Sequence, residues 1–194
     1  MASILLSKIV AKIKKENQYK DIFPELLREI HACLDRELYF AALSLALMLP
    51  DACGVAKYPN DSVAARYIKW YNEYIGQYDK SDDPYAADMP YLSGEVVYNL
   101  RNGLLHSANP AIDKQKIKNE NNKLDKLNLV FGDTLGGDMK HIAYSKDYEV
   151  TYREYTLYVK PFCLKICDAA EKFYLENKEM FSFFTYEISL KEDF

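Results

Sequence analysis

The sequence has no excess of positive charge, no uninterrupted apolar stretch of bilayer length and only three histidines, and each shortage narrows the chemistry available. With Lys and Arg together at 25 against 29 Asp and Glu, the net charge is -4. That argues against a protein that coats nucleic acid through a whole-surface field, because such binders carry a basic excess that displaces condensed counterions. A local basic site stays open. Lys8 and Lys12 interrupt Met1 to Glu16 before it could serve as the apolar core of a signal peptide, and no run is expected to be long enough to span a bilayer. A soluble, cytoplasmic protein without a membrane partner is the expectation. Cys33, Cys53, Cys163 and Cys167 lie in or beside apolar helical patterns and read as free buried thiols. Cys163 and Cys167 share a helix face but have no second pair of ligands nearby, so neither metal nor cofactor is expected.

What is present is a chain of 194 residues, enough for one domain with a real core. Its 17 tyrosines and nine phenylalanines supply large apolar areas, the tyrosines with a hydroxyl suited to wet edges and interfaces. No internal repeat or linker divides it. Lysines interleave with Leu5, Ile9, Val10 and Ile13 in an amphipathic helix from Ser3 to Lys15. From Pro24, the steps Leu26, Ile30, Leu34, Leu38, Ala41, Leu45 and Met48 predict one long core helix closed by Pro50 and Gly54. His31 and Asp35, one turn apart on it, admit acid-base work but read first as a solvated helix contact.

Asp61 or Ser62 caps the next helix, where Ala64, Tyr67, Ile68, Tyr71, Tyr74, Ile75 and Tyr78 form a stripe beside Trp70. Such a stripe can stack bases, although at helical spacing core is the better reading. Asp79 to Pro90 is loop, and Ser93 caps a helix over about 93–107 that Asn109-Pro110 stops. Residues 111–126, dense in Lys, Asn and Glu from Asp113 onward, are expected to be an exposed and mobile insertion. The period then changes to two: Leu127 to Phe131 and Tyr148 to Val159 predict a β-hairpin across 127–159, joined by Gly132 to Asp138, with a phase slip after Arg153 that predicts a bulge. The Gly132–Asp138 turn lacks the lysine of a phosphate loop and the ligand spacing of a calcium loop. Pro161 opens a last helix, which with an aromatic tail from Met180 to Leu190 makes up 160–194.

The helix over 93–107 carries the one assembled chemistry. At about 100° per residue, Val96, Val97, Leu100 and Leu104 form a core face. Glu95, Tyr98, Asn99, Asn102 and His106 gather on the other side, and Arg101 reaches in from the flank. Asn102 and His106 are one turn apart, so the three polar groups can converge. Gly103 costs roughly 1 kcal/mol of helix stability relative to alanine, which asks for another backbone in close approach. Spacing alone equally admits Arg101 and His106 as cations near a helix end, favoured there by the macrodipole.

The string Leu100-Arg101-Asn102-Gly103-Leu104-Leu105-His106 resembles the signature of the HEPN superfamily, all-helical domains bearing an arginine, commonly a polar residue after it, and a histidine four to six positions on. The resemblance extends to Leu47-Met48-Leu49-Pro50-Asp51-Ala52-Cys53-Gly54, to Ala65-Arg66-Tyr67-Ile68-Lys69-Trp70-Tyr71 and to Tyr91-Leu92-Ser93-Gly94-Glu95, covering about Pro24 to Pro110. It implies a mainly α fold, a HEPN-like helical bundle, to which the β-hairpin read from the period of two would be a small elaboration in the C-terminal half. It also implies a metal-independent endoribonuclease, a toxin or defence effector with a neutralising partner, whose composite site forms between the motif helices of a homodimer. His106 would do the acid-base work, Arg101 hold the scissile phosphate, and Asn102 orient the histidine or a phosphate oxygen. Tyr98 and Asn99 would contact the RNA. A non-catalytic HEPN-like module binding a nucleotide, RNA or a protein is the alternative, and a purely structural helical dimer a third.

Overall fold

The computed structural model describes residues 22–119, 122–132 and 137–184. The expected N-terminal amphipathic helix, most of the Gly132–Asp138 turn and the end of the tail lie outside these residues. Helices α1 (Ile22–Asp35), α2 (Tyr39–Ala46), α3 (Leu49–Lys57), α4 (Val63–Tyr71), α5 (Gly94–Ser107) and α6 (Val159–Glu176) surround one core, and a three-stranded sheet sits beside them. The chain is mainly α with a small β element.

The long helix expected from Pro24 to Met48 is two. Glu37 takes a left-handed φ of 59°, and Leu38 N–H bonds back to Cys33 O at 2.8 Å, which ends α1 and turns the chain into α2. The apolar spacing continues through the break because both helices bury the same stripe, from Phe23, Leu27, Ile30 and Leu34 to Ala42, Leu43 and Ala46. Pro50 does not close a helix either. It stands in the first turn of α3, where its missing N–H costs nothing. Gly54 lies inside α3, and a Cβ there would meet Arg66 O at 2.9 Å, so it is the contact point of α3 with α4. One apolar stretch, Tyr39–Lys57 with mean hydropathy 1.6, is long enough to cross a membrane, contrary to the expectation, and half of it is buried within the fold as α2 and α3.

The α4 stripe is core. Ser62 caps the helix by accepting from Ala65 N–H, and Tyr67, Trp70 and Tyr71 are fully buried. Trp70 stacks on Tyr74 and meets the Phe173 ring edge-on. Each such ring removed from water contributes about 1.5–3 kcal/mol. Phe173, with Phe162, Ile166 and Ala170, forms the buried face of α6, which packs on α1, α2 and α3. Cys53, Cys163 and Cys167 are free and buried, and Cys33 is free and half-buried.

The sheet differs from the expected hairpin. Its strands β1 (Lys126–Val130), β2 (Met139–Tyr144) and β3 (Val150–Tyr158) lie in the order β1-β3-β2. The chain leaving β1 therefore does not turn back to pair with β3 directly. It forms β2 first, the hairpin is β2–β3, and β1 joins β3 in parallel. The register irregularity lies at Thr151, which has no partner between Ala143–Tyr152 and Tyr144–Val150, two residues earlier than the expected slip. From Tyr152 onward the pairing register with β2 is regular, and Tyr155, Thr156 and Leu157 are buried. β2 was hidden because Met139-Lys140-His141-Ile142-Ala143-Tyr144 has little alternation of its own.

The described residues of 111–126 do not hang free: Ile117 and Leu124 are 1% exposed, two apolar anchors that help lay this polar segment on the bundle as a strap.

Candidate active site

Helix α5 begins where Ser93 Oγ accepts from Val96 N–H at 3.3 Å. Gly94 sits so close to α4 that a Cβ would meet Ile68 O at 2.6 Å, and its N–H bonds to Asn72 Oδ1 at 2.7 Å. That crossing fixes the rotation of α5. Val96, Val97, Leu100 and Leu104 are buried on its core face as the projection requires.

The C-terminal end is set by a reversal. Ala108 adopts a left-handed φ of 50°, Ala108 N–H bonds to Leu104 O at 2.9 Å and Asn109 N–H to Gly103 O at 3.0 Å. Ser107 Oγ also donates to Gly103 O, at 2.9 Å. The returning backbone passes directly over Gly103, where a Cβ would collide with the carbonyl oxygen of Asn109. This is the close approach that the glycine asked for.

Within this frame Arg101, Asn102 and His106 meet. Arg101 Nη1 donates to Asn102 Oδ1 at 2.9 Å and stands 3.3 Å from His106 Nε2. A guanidinium only donates, so in this arrangement Nε2 of His106 is the acceptor and its ring hydrogen is on Nδ1. His106 is exposed, Asn102 and Arg101 half-buried. Arg101 Nε is buried without a partner, and the guanidinium lies near enough to Tyr67 to act on its hydroxyl, although burial of Tyr67 dominates and pushes that hydroxyl far up. Tyr98, half-buried, tilts against Tyr67 with ring centroids 5.2 Å apart.

Asn99 has a place the helical projection did not give it. It is 8% exposed, its Nδ2 donates to Asp113 O at 2.9 Å and its Oδ1 accepts from Asp113 N–H at 3.0 Å. Both ends of the amide are thereby committed to holding the strap against α5. His31 is exposed on α1 and His141 stands by Tyr152 on the sheet, so neither joins His106.

The strap makes a wall that the sequence reading did not foresee. It runs antiparallel to α5, with Asn109 at Gly103, Asp113 at Asn99 and Asn119 N–H on Glu95 Oε2 at 3.4 Å. Between strap, α5 and the start of α4 lies a cavity of about 720 Å³, a size usual for ligand sites. Tyr98, Asn102 and His106 line it from α5, Ala64, Ala65 and Ile68 from α4, and Ile112, Lys116 and Lys118 from the strap. The lysines were visible only as part of a mixed-charge run; the apolar Ile112 before them and Ile117 between them were the signal that this run packs. No group of three or more metal-ligating side chains occurs among the described residues.

The chain matches no protein-family model, no curated protein and no solved structure.

Proposed function

We propose that this chain is a metal-independent endoribonuclease of HEPN-like architecture, soluble and cytoplasmic, that cleaves RNA at a composite site formed by the α5 helices of two copies. The observation that carries the reading is the meeting of Arg101 with Asn102 and His106 on an accessible surface, Nη1 being 2.9 Å and 3.3 Å from the two partners.

The residue types suit the reaction. A ribose 2'-hydroxyl loses its proton as it attacks the adjoining phosphorus, the 5'-oxygen leaves and takes up a proton, and the product ends in a 2',3'-cyclic phosphate. His106 Nε2, which carries no hydrogen and faces Arg101 Nη1, accepts the first proton as general base. Arg101 stabilises the charge gathering on the phosphate oxygens through a fork that is always protonated. Asn102 orients Arg101 through their mutual bond. The partner copy supplies the second imidazole, since neither His31 nor His141 is at hand, and twofold pairing doubles the site with no new motif.

The test is cleavage of a mixed-sequence RNA in EDTA. Wild type cuts, His106→Ala and Arg101→Ala lose at least about a hundredfold, and specific activity falls on dilution as the dimer dissociates. No cleavage of any RNA, with binding intact, favours a second reading, a non-catalytic nucleotide- or RNA-binding module. The observation on its side is that the groove beside His106 is complete within one copy.

A further inference from the structure

The groove is long in relation to the motif that opens on it. From Glu95 to His106 helix α5 rises roughly 16 Å at 1.5 Å per residue, and the strap follows it throughout, pinned at the levels of Gly103, Asn99 and Glu95. The motif occupies one end. Lys116 and Lys118, falling between the Asn99 and Glu95 levels, stand about two to three helical turns from His106 and about one turn from the level of Arg101. Between them the walls are apolar or aromatic: Ile68, Ala65, Tyr98 and Ile112.

The charges distribute unevenly along it. Lys116 pairs with Asp113 at 3.4 Å, and Glu95 accepts from Asn119 N–H and Asn122 Nδ2. Lys118 has no ion pair among the described residues and is exposed. Ser62, the N-cap of α4, also lines the cavity, so the positive end of that helix dipole adds to a field that favours anions. With Asn102 and His106 lining one end beside Arg101, Lys118 at the other, apolar side chains between, and the lining carboxylates of Asp113 and Glu95 engaged by Lys116 and by the strap, the groove matches one nucleotide with the phosphates on its two sides.

Resting on the ribonuclease reading for the motif end, we propose that this groove is a nucleotide subsite. It takes one unpaired base of single-stranded RNA against Ile68 and Tyr98 while Lys118 holds the phosphate one step beyond the scissile one. A base inside a duplex is stacked and paired and cannot enter, so the subsite selects unpaired RNA.

Binding of a fluorescently labelled RNA trinucleotide to the His106→Ala chain tests this without requiring cleavage. Lys118→Glu is expected to weaken binding by about tenfold or more, the loss of a charge-assisted contact, and Ala65→Trp, which fills the middle, to weaken it comparably. A blunt RNA duplex is expected not to compete. Lys118→Glu changes an exposed side chain, so it reports on the subsite even if Ala65→Trp unfolds the chain. Unchanged affinity in Lys118→Glu, or competition by the duplex equal to that of single strand, overturns the proposal. Subsite-dependent binding by a wild-type chain that cuts no RNA leaves the subsite standing and removes the catalytic reading.

Discussion

Arg101 is held from two sides. Its Nη1 is shared by Asn102 and His106, while its Nε is buried with no partner. A buried donor left unpaired costs about 1–3 kcal/mol, and a protein that tolerates this beside an accessible histidine is keeping a cation in a set position. Lysine cannot take the role: an ammonium is a point charge on a flexible stem, without the planar fork. Arg101→Lys is therefore expected to keep the fold and to lose RNA cleavage by about tenfold or more, a difference of roughly 1.4 kcal/mol or above in transition-state stabilisation, read as initial rates beside an unchanged thermal midpoint. Gly103 presents the opposite case, a residue without a side chain that fixes the end of α5 through its backbone. Gly103→Ala must displace the Asn109 carbonyl, and overpacking of this kind costs typically about 1–3 kcal/mol. Urea unfolding is expected to show the loss.

Among the residues of the motif, legibility followed geometry that a single helix dictates. The convergence of Arg101, Asn102 and His106 and the need for a close backbone at Gly103 both come from positions within about two turns of each other, where rise and rotation per residue are fixed. Asn99 and Lys118 were not legible in the same way. What each does depends on the strap, and no local periodicity tells that residues 111–126 fold back over α5.

At the scale of elements, the strap is the part that joins the motif helix to the rest of a site. Two amide bonds from Asn99 and the buried Ile117 hold it. Asn99→Ala removes both bonds and is expected to destabilise the chain by about 1–2 kcal/mol and to open the strap locally. Limited proteolysis should then cut within 109–119 at protease levels that leave wild type intact. A cutting pattern identical to wild type would show that the apolar anchors suffice. The end of α3 is tied differently to the helical turn that follows α4, by Glu73, which accepts from Lys57 and from the Tyr58 hydroxyl. The bond from Lys57, then that from Tyr58, hold the Glu73 carboxyl below its ordinary range against a smaller opposing effect of burial. A depressed carboxyl stabilises the fold fully above its unfolded value near about 4.3, and that contribution is lost as pH falls through the folded value. Because Glu73 is 45% exposed, solvent screening keeps the amount to about 0.2–1 kcal/mol. Stability measured at pH 7 and pH 3 is expected to drop less in Glu73→Gln than in wild type.

Elements also show where sequence patterns mislead. The apolar spacing from Leu26 to Met48 reads straight through the break at Glu37 because α1 and α2 bury one continuous stripe, and spacing carries no record of a left-handed residue that is not glycine. Pro50, taken as a stop, opens α3 instead; a proline is as much at home in a first turn as after a last one. The pairing β1-β3-β2 was hidden for another reason. Strand partners are chosen by contacts distant along the chain, and β2, with Lys140 and His141 in its middle, offers no clean alternation to announce itself.

On the scale of the whole molecule, the helices bury one core and leave the motif on its outer side, at the mouth of a groove closed by the chain's own strap. A single copy thus presents one groove with His106 and Arg101 toward one end; in the proposed ribonuclease a second copy supplies the other imidazole, and each copy's groove would be its own nucleotide subsite. The net charge of -4 accords with a protein that engages RNA at a local site and not along its whole surface.

The claim at the centre is that a 2'-hydroxyl is the nucleophile and His106 its base. It is met most directly by incubating wild type, in EDTA, with a labelled RNA and with the same oligonucleotide in all-2'-deoxy form, and by identifying the ends produced. The RNA is expected to be cut to fragments ending in 2',3'-cyclic phosphate, the deoxy strand to stay whole, and His106→Ala to cut neither. Cleavage of both strands alike, or RNA cleavage that persists in His106→Ala, would contradict it.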